Sequence, residues 1–159
     1  MNVIKPKDIE QPFRVGIVVS HFNQNVTQRL YEGALHRLNE LKITSDAITA
    51  VWVPGAVEIP LACQALIDTN AFHVIIAYGC VIRGETGHYD FVCEQVSTGC
   101  QQVALANVVP VIFGVLTTEN EIQALDRCGG AKGHVGKECV DAAFEQLSVL
   151  RQIDELKFE

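Results

Sequence analysis

The sequence predicts an α/β protein in three layers, a four-stranded parallel sheet flanked by helices on both faces. Three observations predict it. Short apolar runs rich in β-branched residues alternate four times with longer amphipathic stretches, and that order requires parallel strands joined by right-handed crossovers. Each apolar run opens into a turn marked by Gly, Pro, Asn or Thr. The chain has 159 residues, 48% hydrophobic and 19% charged, which suits one globular core without staples.

Residues 1–12 are polar and contain Pro6 and Pro12, so they read as a flexible N-terminal arm. Residues 13–159 read as a single domain. The first strand is predicted at 14–19, followed by the polar turn Ser20-His21-Phe22-Asn23-Gln24-Asn25. Asn25 is the expected cap of the next helix. Val26, Leu30, Ala34, Leu38 and Leu41 recur there at helical spacing.

A second strand is expected over 46–53. Pro54-Gly55-Ala56-Val57-Glu58 makes its turn, and Pro60 fits in the first turn of a helix running to about Asp68. Glu58 suits a helix N-terminus through the dipole and equally suits a ligand contact.

The third strand and its turn carry the densest chemistry: Ile75-Ile76-Ala77-Tyr78-Gly79-Cys80-Val81-Ile82-Arg83-Gly84-Glu85-Thr86-Gly87-His88. Strand, glycine turn and helix together present backbone N–H groups to an anion. Thr86 adds a hydroxyl, Arg83 a cation, and His88 an imidazole that can move protons near neutral pH. A P-loop is excluded because Gly84 is followed by Glu85-Thr86, and G-x-G-x-x-G is absent from the chain. A helix is expected over 89–107.

The fourth strand is predicted over 110–115. Thr118 and Glu121 read as a capping box for a short helix ending near Arg127. Cys128-Gly129-Gly130 breaks it, and a last helix is expected over 136–150.

In a parallel sheet, ligands bind beyond the carboxyl ends of the strands. That rule gathers the turns 20–25, 54–58, 81–88 and 113–118 at one rim. There, Phe22 either stacks on a planar ligand or folds back on the sheet.

The net charge of −7 argues against nucleic acid and against an anionic membrane as partners. A phosphate ligand therefore needs locally concentrated cations, with Arg83, Arg127, Lys132 and Lys137 as candidates. No apolar run approaches the ~18 residues of a membrane span. Residues 1–7 lack the apolar core of a secretory leader, so a cytoplasmic protein is expected. Its six cysteines form no C-x-x-C and are expected to be reduced. No His/Cys spacing suits a metal, and none is expected. Cys80, at the end of the central strand, reads as a buried thiol rather than a nucleophile, since no histidine stands beside it in sequence.

Five motifs in order resemble the 6,7-dimethyl-8-ribityllumazine synthase family, over roughly 13–150. They are Ser20-His21-Phe22-Asn23, Pro54-Gly55-Ala56-Val57-Glu58-Ile59-Pro60, Gly79 to Asp90, Phe113-Gly114-Val115-Leu116-Thr117-Thr118-Glu119-Asn120, and Arg127 before the glycines. The resemblance implies a flavodoxin-like fold and a transferase of riboflavin biosynthesis. That enzyme condenses 5-amino-6-(D-ribitylamino)uracil with 3,4-dihydroxy-2-butanone 4-phosphate, releasing phosphate and water in the penultimate step, without a cofactor. It implies that Phe22 stacks on the pyrimidine and that Ala56, Val57 and Glu58 hold the ribityl chain. Cys80, Val81 and Ile82 would meet the uracil edge, mostly by backbone. Glu85, Thr86 and Arg127 would bind the phosphate, and His88 would shuttle protons. Phe113 and Arg127 would come from a neighbouring subunit.

The resemblance also implies a homo-oligomer: a pentamer, with sixty-subunit icosahedral shells in many members and active sites at subunit interfaces. It leaves open whether such a shell encloses riboflavin synthase. One departure stands out, because a lysine common in the family aligns with Val135. Two rival readings use the same residues differently. One is a non-catalytic flavin or lumazine carrier; the other is a hydrolase using Cys80.

Overall fold

The computed structural model describes residues 1–10 and 13–156. Gln11 and Pro12, in the expected arm, and residues 157–159, at the end of the expected domain, lie outside the described residues. The first strand, β1, is Val15–Ser20, and all six of its residues are buried. Burial on both faces explains its unbroken apolar spelling. It is followed by α1 (Gln24–Glu40), β2 (Ile48–Val53), α2 (Ile59–Asp68), β3 (Val74–Ile82), α3 (His88–Asn107), β4 (Val111–Thr118) and α4 (Glu121–Asp126). Two very short strands, β5 (Cys128–Gly130) and β6 (Gly133–His134), precede α5 (Val135–Asp154).

The four long strands form one parallel sheet in the order β2-β1-β3-β4. Strand alternation splits the core in two. On one face Ile17, Val19, Ile76 and Tyr78 pack with Leu30 and Leu38 of α1 and Val140 and Leu147 of α5. On the other, Val18, Ile75, Ala77 and Val115 pack with Ile59 and Cys63 of α2 and Val96 and Cys100 of α3. The predicted class and layering are therefore those of the structure.

Several local expectations are corrected. Asn23, not Asn25, occupies the cap position of α1, in the left-handed region at φ 60°; Asn tolerates that conformation better than most residues. Asn25 lies inside the helix and its amide bonds the carboxylate of Glu121. At α4 the cap is Asn120, whose Oδ1 accepts from the Gln123 N–H at 2.9 Å, while Gln123 Oε1 accepts from the Glu119 N–H at 2.9 Å. Thr118 still belongs to β4, because pairing with β3 continues to Ile82↔Thr118. For the same reason 113–118 is strand rather than turn. The break after α4 folds into the antiparallel β5–β6 pair.

Residues 1–10 have no regular structure but are tied to α5. The Lys7 N–H donates to Ser148 Oγ at 3.2 Å, Gln152 Nε2 donates to the Lys5 carbonyl at 2.8 Å, and Ile9 packs against the core.

Candidate active site

The carboxyl ends of β1, β2 and β3 meet the start of α3 around a cleft of about 340 Å³. Its base is the rim of β3, Cys80 to Ile82. The turn after β1 carries Phe22 along one side, the turn after β2 carries Ala56 and Val57, and Thr86 and His88 close the far side. Eight of the twelve predicted site residues line this one space.

Local chemistry explains how each wall is held. After β1 the chain stays laced to the exit of β2: the His21 N–H donates to the Val53 carbonyl at 2.8 Å and the Phe22 N–H to that of Pro54 at 3.0 Å. Asn23 Nδ2 donates to the Cys80 carbonyl at 2.9 Å, joining the β1 turn to β3. Sequence reading did not single out Asn23. Its signal was an Asn in a polar turn before a helix, where left-handed backbone is common. Between these anchors the Phe22 ring stays 72% exposed. It is not folded back on the sheet, so the stacking alternative is the one the geometry allows.

Glu58 does not line the cleft. Its Oε2 accepts from the Gly55 N–H at 3.0 Å, so the carboxylate stabilises the turn at the head of α2, as its dipole reading expected. That bond also shapes the backbone of Ala56 and Val57. On the far side the Thr86 hydroxyl accepts from the His88 N–H at 3.3 Å. Among the described residues, the amide N–H groups of Glu85, Thr86 and Gly87 have no protein acceptor. They are left to water or to an anion at the start of α3. The Glu85 side chain is exposed and does not line the cleft.

The candidate cations separate here. Arg83 stands outside the cleft lining: its Nε donates to Glu119 at 2.9 Å, its Nη2 lies 3.4 Å from Asp90, and its guanidinium sits 4.2 Å from the Tyr89 ring centre. Its charge is already matched. Lys132, Lys137 and Arg127 also lie outside, so no Lys or Arg lines the cleft among the described residues. Arg127 closes α4, its Nη1 donating to the Gln123 carbonyl at 2.8 Å. Phe113, 42% exposed, pairs with Ala77 well back from the rim. Within one chain, then, neither Arg127 nor Phe113 reaches the cleft. Val135, at the position of the family lysine, packs against the core.

Cys80 is 2% exposed. Burial, with lesser contributions from Cys128 and Glu121, pushes its thiol up to about 12. A nucleophilic cysteine works as a thiolate, and both the burial and the raised thiol of Cys80 argue against the hydrolase reading. No cluster of three or more His, Cys, Asp or Glu suited to a metal occurs among the described residues.

The fold and cleft define a class: a flavodoxin-like α/β protein with an open cleft at the carboxyl rim of its sheet, lined by an exposed aromatic, a glycine turn and an imidazole. Residues 12–151 match the family described as 6,7-dimethyl-8-ribityllumazine synthase. A protein of that name from Coxiella burnetii (strain Dugway 5J108-111) is 50% identical over 145 residues, covering 91% of this chain and 96% of that protein. Its counterpart from strain CbuG_Q212 is 49% identical over the same length. The chain belongs to the 6,7-dimethyl-8-ribityllumazine synthase family.

Proposed function

We propose that the protein condenses 5-amino-6-(D-ribitylamino)uracil with 3,4-dihydroxy-2-butanone 4-phosphate to form 6,7-dimethyl-8-ribityllumazine, with release of phosphate and water. It is a transferase of riboflavin biosynthesis. The observation that carries this reading is that Phe22, Thr86 and His88, from two different turns, share one cleft.

Phe22 stacks on the pyrimidine, whose edge lies along the backbone of Cys80, Val81 and Ile82. The ribityl chain runs past Ala56 and Val57 towards Glu58. The phosphate sits at the turn of Glu85 and Thr86, against N–H groups that have no protein acceptor. The amine then attacks the ketone, an imine forms with loss of water, phosphate leaves, and the second nitrogen closes the ring on the remaining carbonyl with loss of a second water. His88 takes and returns the protons these steps displace. Holding two substrates in contact supplies much of the acceleration, and one proton shuttle adds about 10²–10⁴. A carrier needs no imidazole beside its phosphate site, so His88 favours the enzyme.

The same proposal includes a homo-oligomer. A dianionic phosphate in a cleft without Lys or Arg, on a chain of net charge −7, needs a cation from elsewhere. Arg127 of an adjacent copy supplies it, and Phe113 of that copy covers the aromatic substrate. The pentamer is the assembly proposed, with twelve pentamers closing a shell able to enclose riboflavin synthase. Six free thiols support a reducing, cytoplasmic setting. No helix among the described residues is long and apolar enough to cross a membrane.

Mixing purified protein with both substrates tests the reaction: fluorescent lumazine and free phosphate should appear in equal amounts. Binding of either substrate without product would establish the carrier instead. Light scattering tests the assembly, and an active monomer would overturn it.

A further inference from the structure

The β5–β6 pair contains an imidazole with no role in the cleft, His134 of β6. His134 is partly buried, and its Nδ1 is buried without a hydrogen-bond partner. Buried polar atoms are rarely left without a partner, so the ring's place here is set by shape rather than by a hydrogen bond at Nδ1. The shape is made by glycines. A methyl added at Gly33 of α1 would lie 2.1 Å from His134 Cε1, one at Gly136 would lie 2.9 Å from the same atom, and one at Gly129 would lie 3.3 Å from Cδ2. The ring therefore occupies a notch between α1, the start of α5 and the β5–β6 turn, where a β-carbon at position 33 would exclude it.

That notch controls the segment starting at Arg127. Cys128 pairs with His134, the Val135 N–H donates to the Arg127 carbonyl at 2.7 Å, and the Lys132 N–H donates to that of Asp126 at 2.7 Å. Gly129 and Gly133 take φ of 102° and 85°, values that allow the tight reversal and by themselves set no orientation. On its other side Arg127 is held by the end of α4, through its N–H to the Ala124 carbonyl at 3.1 Å and its Nη1 to the Gln123 carbonyl at 2.8 Å. Two groups seat this hairpin against α1: the ring in the notch, and Cys128, buried in the core cluster that holds Leu30 and Ala34.

We propose that His134 is a positioning residue: lodged against Gly33, it sets where Arg127 presents its guanidinium to the phosphate in the cleft of an adjacent copy. This rests on the phosphate role given to Arg127 above. His134 touches neither substrate. A bidentate guanidinium is sensitive to placement, and a displacement of about 1 Å in a positioning group can cost as much as 10²-fold.

The test uses the assembled enzyme and three variants, Arg127→Ala, His134→Ala and Phe144→Ala. Phe144 packs edge-on against Phe13 at 4.5 Å, away from the hairpin, and controls for general loosening of the α1–α5 layer. With His134→Ala the KM for the four-carbon phosphate should rise about ten-fold. The KM for the pyrimidine and kcat should stay within about two-fold, and Phe144→Ala should show no such split. If Arg127→Ala raises the phosphate KM but His134→Ala leaves it unchanged, or if Phe144→Ala reproduces the split, the positioning role is overturned and the phosphate role of Arg127 stands. If Arg127→Ala leaves the phosphate KM unchanged, the underlying reading falls and the proposal with it. Should His134→Ala fail to assemble, His134→Asn keeps a flat polar group in the notch. It should raise the phosphate KM about three-fold, and an unchanged value overturns the proposal.

Discussion

Replacing Phe22 by alanine separates binding from folding more cleanly than any other change at the cleft. The ring is 72% exposed, so the folded chain gains little from it, and truncation should cost under about 0.5 kcal/mol of stability. In a chain of this size that lowers the unfolding temperature by no more than about 2 °C. The loss appears when the pyrimidine is bound. Full burial of a Phe side chain is worth about 1.5–3 kcal/mol, and the stacked ligand covers one face, about half of that. Ring-on-ring geometry adds about 0.5–1.5 kcal/mol. The sum, about 2 kcal/mol, corresponds to about thirty-fold weaker binding of the ribitylaminouracil. Fluorescence titration with that substrate alone, beside a thermal unfolding scan, measures both quantities. An unfolding temperature lowered by more than about 5 °C with unchanged affinity would show that the ring supports the fold and not the ligand. Phe22→Trp should retain most of the affinity, because it keeps a flat face.

Three further outcomes are expected. His88→Ala should lower turnover by about 10²–10⁴ while the particle size by light scattering stays the same; undiminished turnover would remove His88 from the mechanism. Burial holds the Cys80 and Cys139 thiols up at about 12, from an ordinary value of 9.0. Both stay protonated in the folded chain while the unfolded chain ionises, so stability is intact below pH 9 and is lost between pH 9 and 12, by about 1.4 kcal/mol per pH unit for each thiol. Denaturant titrations at pH 8 and 10 should show that loss, and Cys80→Ala with Cys139→Ala should remove the part these two thiols contribute, leaving that of Cys63, Cys93 and Cys128, whose thiols are also raised. Gly114→Ala would place a methyl 2.7 Å from Tyr78 Cδ1 and 2.9 Å from the Ala77 carbonyl oxygen. It should cost about 1–3 kcal/mol, and a denaturation midpoint equal to that of the parent would show that β3 and β4 can separate to admit it.

Alternation of apolar runs with amphipathic stretches was enough to define the layers, the parallel sheet and the rim where the turns gather, because these follow from local periodicity and the handedness of crossovers. Phe22, Thr86 and His88 were legible for the same reason, since each sits in a turn that the topology sends to that rim. Caps were not legible: Asn23 and Asn120 displaced the expected Asn25 and Thr118, because a cap depends on which residue the preceding strand leaves in extended or left-handed backbone. Only the folded chain could show which of the two readings of Glu58 its carboxylate adopts within the chain, and that Arg83 is matched by Glu119 and Asp90. It alone shows that His134 fills a glycine notch on α1, a contact between residues a hundred positions apart. Sequence specifies what each segment prefers by itself; which side chains remain free for a ligand is decided when distant segments compete for the same partners.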